Sequence, residues 1–447
     1  MESDPRKDYA QYMWAPYTQM GDLAEEEPIV AVDGDGATIV DSLGREFIDG
    51  HAALWLANAG FGRTEIVEAA TEQMHKLSWF PSFGGMSNEV AIALAKRLVQ
   101  LTEPEGMARA FFSSGGSEAV ETALKMARQY WRLSGHGGKF KVISRRKSYH
   151  GVTFGALSAT GVTANRRLFE PLVPGFRHIE PPYCYRCPYG LEHPECALAC
   201  AEELERTIAF EGADTVAAFI GEPVMGAGGV IIPPDGYWQR IEEICRAHDV
   251  LLIADEVITG FGRTGEMFGC RHWNVKPDMM VFAKGLTSGY LPLGATMARE
   301  EIFQACIGKW GEGREFRHGT TYSGHPAAAA AALENIRIIE EEGLVERARE
   351  LGDYLLDGLR ELTGMPHVGD VNALGLIARL ELVADKETRE AFPSSELAGL
   401  RVNRGMLKRG VIMRPLGDVM SLSPPLVVTK GEIDAILLAL AQVVDEL

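Results

Sequence analysis

Two charged residues at the ends of apolar runs offer the clearest chemistry in this sequence. The run Val250–Ala254 ends in Asp255 and Glu256, and the run Met279–Ala283 ends in Lys284 and Gly285. A lysine amine can form a Schiff base with an aldehyde, and a carboxylate can keep a heterocyclic nitrogen protonated. Together they are what pyridoxal phosphate (PLP) chemistry needs, because a protonated pyridine ring accepts the electrons of an adjacent carbanion. An ordinary ion pair at two strand ends would leave the same trace.

The elements that must position such a pair are legible around it. Continuous apolar runs of about five residues suit parallel strands buried on both faces, and open α/β sheets bind ligands at the carboxyl ends of their strands. Similar runs occur at 108–112, 140–144 and 215–220. The first leads into Ser113-Ser114-Gly115-Gly116-Ser117 and a helix with apolar positions 120, 123, 124 and 127. Uncovered N–H groups and the helix dipole there suit a phosphate, although capping and chain reversal explain most such turns. The turn matches neither a P-loop nor GxGxxG.

The second run leads to Tyr149-His150, an aromatic pair that could stack on a planar cofactor or simply pack a loop. The third leads to Glu222 in a Gly-rich loop over 221–229. Trp55 sits among small residues, as a core side chain or a pocket wall, and Phe83 lies in an aromatic loop over 78–85. Residues 61–325 thus read as an α/β domain with a largely parallel sheet. Residues 1–60 read as an N-terminal arm with a small meander at 37–40 and 45–49. Residues 326–447 read as a helix followed by a smaller α+β domain, with helices at 345–363, 396–409 and 430–446 and strands at about 374–383 and 411–423.

Composition excludes several partners. The 447 residues are 46% hydrophobic and 24% charged, as in a soluble globular protein. A net charge of −18 argues against nucleic acid and gives no support to an anionic membrane surface. Any anionic cofactor or substrate therefore needs a specific local site. No apolar run is long enough to span a bilayer, and Met1–Lys7 lacks the apolar core of a signal peptide. Seven cysteines, an odd number, fit a reducing cytoplasm, so a cytoplasmic protein is expected. Four of them, Cys184, Cys187, Cys196 and Cys200, have a spacing open to structural zinc, a disulfide or free thiols. The loop between the pairs is shorter than in most zinc ribbons. Free thiols are the expectation, with no metal.

Six motifs, in order, resemble those of the class III aminotransferases of PLP fold type I, in the omega-aminotransferase branch (amine:pyruvate and taurine:pyruvate-like enzymes). They are Ser114–Ala119, Tyr149–Gly151, Glu222–Val224, Ile253–Val257, Phe282–Gly285 and Thr321–Pro326. The resemblance covers nearly the whole chain. It implies a PLP-binding large domain with a mostly parallel sheet, and a small α+β domain formed by the N-terminal arm and the C-terminal part. It implies a double displacement that moves an amino group from an amine or omega-amino acid to a keto acid, with pyruvate the expected acceptor. It also implies a homodimer, or a dimer of such dimers, with shared active sites.

The roles implied are specific. Lys284 would be the Schiff-base lysine and proton shuttle, and Asp255 the partner of the pyridinium nitrogen, supported by Glu222. Tyr149 and Val257 would flank the ring, while Gly116 and Ser117 hold the phosphate with Thr321 of a neighbouring subunit. Trp55, Phe83 and Tyr149 would line the substrate pocket. Arg414, followed by Pro415 and Gly417 in what reads as a loop, resembles the mobile arginine that binds a substrate carboxylate. Ala227 stands where ornithine- and GABA-type relatives carry a glutamate, which points to the amine:pyruvate branch. Thr320 replaces a bulky aromatic of many relatives. The Cys184–Cys200 segment resembles an insertion of taurine:pyruvate-like members, so taurine is a plausible donor. An aminomutase or racemase would keep Lys284 and Asp255 and need no second substrate.

Overall fold

The computed structural model describes residues 4–23 and 28–447. The arm assigned to 1–60, and the leader reading of Met1–Lys7, thus fall partly outside the described residues. Three strands come first: β1 (Ala31–Asp35), β2 (Thr38–Asp41) and β3 (Glu46–Asp49). The middle of the chain supplies β4 (Arg109–Ser113), β5 (Lys141–Arg145), β6 (Phe176–Ile179), β7 (Val216–Gly221), β8 (Leu251–Asp255), β9 (Met279–Phe282) and β10 (Gly294–Ala298). The last part supplies β11 (Val368–Ala373), β12 (Ala378–Leu382), β13 (Val411–Ile412), β14 (Arg414–Leu416) and β15 (Val419–Leu422).

The middle strands form one seven-stranded sheet in the order β4-β10-β9-β8-β7-β5-β6. Strands β9, β8, β7, β5 and β6 are parallel, and β10 runs antiparallel between β4 and β9. Because β10 reverses, β4 points the same way as the parallel strands and ends at the same edge. The fold is therefore α/β with a mostly parallel sheet. The apolar runs are continuous because successive side chains enter two different cores. Leu252, Ala254, Met280 and Phe282 pack with Trp238 and Ile241 of the helix Tyr237–Ala247. Leu251, Ile253, Met279 and Val281 pack with Val120, Ala123, Leu124 and Ala127 of the helix Gly116–Leu133.

Two smaller sheets lie at the chain ends. β1, β2 and β3 form an antiparallel meander, and β13 adds to β3 in parallel, pairing Val411 with Ile48. The other sheet has the order β11-β12-β15-β14 and is antiparallel. The strands expected at 374–383 and 411–423 are each more broken than the sequence suggested. The first is β12 alone, with β11 before it. The second is three short strands shared between two sheets, turning at Gly417, which takes φ +67°. Arg414 is not in a loop: it opens β14 opposite Ser421. The alanine-rich helix Pro326–Glu341 buries Ala327, Ala328, Ala329, Ala331 and Ala332 and packs against the helices Thr64–Lys76 and Glu89–Leu101. Among the described residues no helix is long and apolar enough to cross a membrane.

Candidate active site

The carboxyl ends of β4, β5, β7, β8 and β9 meet at one sheet edge, and the residues that follow each strand close on a common cavity of about 130 Å³. Gly116, Ser117, Tyr149, His150, Glu222, Asp255, Val257 and Lys284 line it. A larger cleft of about 1080 Å³ shares Tyr149, Ile258 and Lys284 with this cavity and adds Tyr17, Trp55, Lys147 and Arg414. Nine of the eleven site residues expected from sequence therefore border one connected space.

Asp255 ends β8 and is buried. Its Oδ2 lies 2.7 Å from His150 Nδ1, and its Oδ1 accepts the Val257 N–H at 3.2 Å. An ionised carboxylate only accepts, so Nδ1 is the protonated nitrogen of His150. In the sequence His150 is half of an aromatic pair and part of the Tyr149–Gly151 motif, with no role of its own. Its adjacency to Tyr149 was visible, but its partner in a distant strand was not. Glu222 directs its carboxylate to backbone rather than to Asp255, accepting from Tyr149 N at 3.0 Å and Gly226 N at 2.9 Å. Burial raises its pKa, opposed by His150, while the charge of Asp255 raises it further.

Lys284 follows β9 at φ +47°, a left-handed conformation that is strained for a residue with a Cβ. Its amine lies 5.2 Å from the centroid of the Trp55 ring. Burial lowers its pKa to about 8 against the pull of Asp255 and Glu222, with Arg414 and Arg263 adding to the fall. A neutral, nucleophilic amine is thus far more populated near neutral pH than in an ordinary lysine.

The helix Gly116–Leu133 starts after Gly115 with no side-chain cap on its first N–H groups, and it starts beside the cavity. Glu118 instead accepts from Ser114 N at 2.7 Å. A Cβ on Gly116 would stand 3.1 Å from Val257 Cγ1, so bare backbone lets Val257 close against the turn. These groups fit PLP part by part. An uncapped helix start suits the phosphate, Tyr149 and Val257 suit the ring faces, Asp255 suits the ring nitrogen and Lys284 suits the aldehyde.

Two expected residues stand apart. Neither Phe83 nor Thr321 lines the cavity or the cleft, and Phe83 is 44% exposed with its ring beside Gly319. Trp55 does border the cleft, buried and stacked edge-on to His51 at 4.2 Å. The Arg414 guanidinium is half-buried, 5.6 Å from the Trp55 ring centroid. It has no hydrogen bond or ion pair among the described residues. Burial lowers its pKa, and the phenols of Tyr149 and Tyr17 oppose that. Tyr149 itself is pushed up by burial and by Tyr17 beside it, and stays protonated. The four clustered cysteines line a separate narrow cavity, unbridged, and burial pushes Cys200 up to about 12. Among the described residues no group of three or more His, Cys, Asp or Glu is arranged to hold a metal ion.

Fold and site together define a PLP-dependent enzyme. The family model described as Aminotransferase class-III matches residues 22–444, and the chain belongs to that family of PLP-dependent aminotransferases. It is 43% identical over 432 residues to the putrescine–pyruvate aminotransferase of Pseudomonas aeruginosa, covering 96% of this chain and 93% of that protein. The crystal structure of an (S)-enantioselective omega-transaminase from Thermomicrobium roseum superposes with a TM-score of 0.95 at 43% identity, covering 99% of this chain and 98% of that one. An amine transaminase from an uncultivated Pseudomonas species, solved in its PLP-bound form, gives a TM-score of 0.94 at 41% identity, covering 97% and 98%.

Proposed function

We propose that this chain is an omega-type amine transaminase that takes an amino group from a primary amine or omega-amino acid and passes it to pyruvate by double displacement. One observation supports this most. Arg414, without a partner among the described residues, and an aromatic wall, Trp55, border the same cleft as Lys284. A double displacement needs one pocket for both an uncharged chain and a carboxylate. A carboxylate buried beside Trp55 needs a cation, and a guanidinium binds it bidentately.

When bound, PLP supplies an electron sink for negative charge on the substrate carbon next to nitrogen. The chain does the rest. Asp255, oriented by His150 and the Val257 N–H, offers its carboxylate to the ring nitrogen. Tyr149 and Val257 fix the ring plane, and the backbone of Gly116 and Ser117 holds the phosphate. Lys284 Nζ takes the proton from the reacting carbon and hands it on inside the chamber, a general acid–base task suited to its lowered pKa. Arg414 pairs with the carboxylate of the keto acid. Glu222 keeps Tyr149 in place through its backbone N–H.

A homodimer completes this reading. Thr321 would reach the phosphate, and Phe83 the substrate pocket, of the opposite subunit. Large exposed apolar side chains, Trp14 and Trp310 at 91% and Tyr322 at 61%, suit burial against a second copy. The test is a donor screen with pyruvate that reads alanine formation, run beside light scattering. Alanine from a simple amine by a dimer is the expected result. Isomerisation of a single amino acid without any acceptor would establish an aminomutase or racemase instead.

A further inference from the structure

The outer cleft is cationic in a protein of net charge −18. Besides Lys284, its lining holds Arg146, Lys147, Arg166, Arg177, Arg186 and Arg414 against one carboxylate, Glu180. Most of these cations are committed. Arg146 pairs with Glu180, Arg166 with Glu170, Arg177 with Glu211 and Arg186 with Glu381. Lys284 and Arg414 have roles at the reacting end. Lys147 remains, with no ion pair and no hydrogen bond to its amine among the described residues.

Its backbone is held as if its direction mattered. Lys147 sits at φ +64°, an unusual conformation for a lysine. Its N–H donates to the Gly161 carbonyl at 3.1 Å. Its own carbonyl oxygen lies 2.3 Å from where a Cβ on Gly228 would stand, an approach only glycine allows. The next residues are pinned too, by Ser148 Oγ donating to Arg145 O at 2.7 Å and by the Tyr149 N–H on Glu222. The Lys147 amine lies 5.5 Å from the Tyr183 ring centroid. Glu381, a carboxylate whose charge acts on this amine, is taken up by Arg186 and the Tyr183 hydroxyl.

We propose that Lys147 anchors a second anion subsite at the outer part of the substrate cleft. It favours substrates that carry a carboxylate or sulfonate several carbons from the reacting carbon over diamines of the same length. This rests on the transaminase reading above. Lys147 precedes Tyr149 by two residues, at most about 7 Å of backbone, and Tyr149 borders both the cavity and the cleft. Arg414 and Lys284 both lie against Trp55. Among the described residues the cleft therefore offers two cations without a partner: Arg414, whose charge acts on Lys284, and Lys147, which lies by Tyr183 instead. A short acid reaches Arg414, a long one reaches Lys147, and a long diamine would bring a second cation into a positive field.

The experiment compares kcat/KM ratios on the holoenzyme with pyruvate as acceptor. The long pair is 6-aminohexanoate against 1,6-diaminohexane, and the short pair is β-alanine against 1,3-diaminopropane. Lys147→Met should lower the long-pair ratio about two- to fivefold, the size of one solvent-accessible ion pair, and the short-pair ratio much less. Lys147→Arg should restore the long-pair ratio. An unchanged long-pair ratio in Lys147→Met, or equal falls in both ratios, overturns the subsite. Failure of the wild type to aminate pyruvate from any of the four donors is a different result, which sinks the transaminase reading and this inference with it.

Discussion

Around the inner cavity, Asp255 and Glu222 are each held by two hydrogen bonds. One wall further out, Lys147 and Arg414 line the cleft with no charged partner among the described residues. Both regions belong to one site, yet only the first is fully determined by its surroundings. Inside, the two carboxylates stand at strand ends and are satisfied before anything binds, as catalysis by preorganised dipoles requires. Outside, charge is left unsatisfied, and a substrate must complete it. On the function proposed above, the inner part sets which reaction occurs, and the outer part sets which molecules undergo it.

That contrast can be broken at its deepest point first. Lys284→Ala should abolish turnover for every donor, together with the visible absorbance of covalently held PLP, while PLP still binds noncovalently. Retained turnover would mean that another amine serves. Asp255→Asn should come next, lowering turnover by several orders of magnitude with the circular dichroism spectrum unchanged, because a neutral pyridine is a poor electron sink. Near-normal rates would assign ring protonation to a different residue.

Substitutions in the outer region should discriminate between substrates instead of stopping the reaction. Arg414→Ala is expected to cost about 2–4 kcal/mol in transition-state binding for pyruvate and omega-amino acids. The half-reaction of an uncharged amine such as 1-phenylethylamine should lose much less. Single-turnover kinetics of both halves would measure this, and equal losses would make Arg414 structural. His150→Gln sharpens the inner side. Losing the hydrogen bond to Asp255 should slow all donors alike by about tenfold, the value of a bond to a charged group. A donor-dependent loss would place His150 in substrate recognition.

The smallest effect is a pH dependence of the apoenzyme. The folded Lys284 titrates near 8, below an ordinary lysine. The folded protein therefore binds fewer protons than the unfolded chain between pH 8 and about 10.5. Burial of the charged amine costs stability below pH 8, and the cost fades as the pH rises across that window. Relative to wild type, Lys284→Met should raise the apoenzyme Tm most below pH 8 and progressively less above it. The rate at which the wild-type apoenzyme captures PLP covalently should rise with pH through about 8. A flat rate across pH 7–9 would show that the amine is not depressed.

The inner region was also the more legible in sequence, and for a physical reason. A parallel strand buried on both faces must be apolar throughout, so Leu251–Asp255 and Met279–Phe282 announce both themselves and the charged residues that end them. β10, built from Gly294-Ala295-Thr296-Met297-Ala298, carries no such signal, because small residues suit many settings. The hydrogen bond from His150 to Asp255 joins two strand ends distant in sequence, and no local pattern records it. Arg414 reads as loop because Pro415 lies within, and Gly417 directly follows, a strand of only three residues. Phe83 and Thr321 were picked out by family resemblance alone, and a single chain leaves them outside the pocket.

The parallel pairing of β3 with β13 has a consequence for the order of synthesis. Glu46–Asp49 emerges from the ribosome early, but its partner Val411–Ile412 lies near the opposite end of the chain. The next residue after β3, Gly50, waits for Ile412 and Ser423 as well. Asp49, at the end of β3, takes the N–H groups of His51 and Ala53 at 2.9 and 2.6 Å, and the positive φ angles of Ala52, Ala53 and Trp55 follow directly. Strained backbone of this kind persists only where its surroundings over-determine it. Trp55, translated in the first eighth of the chain, therefore takes its station in the substrate cleft only after nearly everything else has been made, and a nascent chain stopped short of residue 411 would carry a complete Lys284 edge with an unfinished wall opposite it.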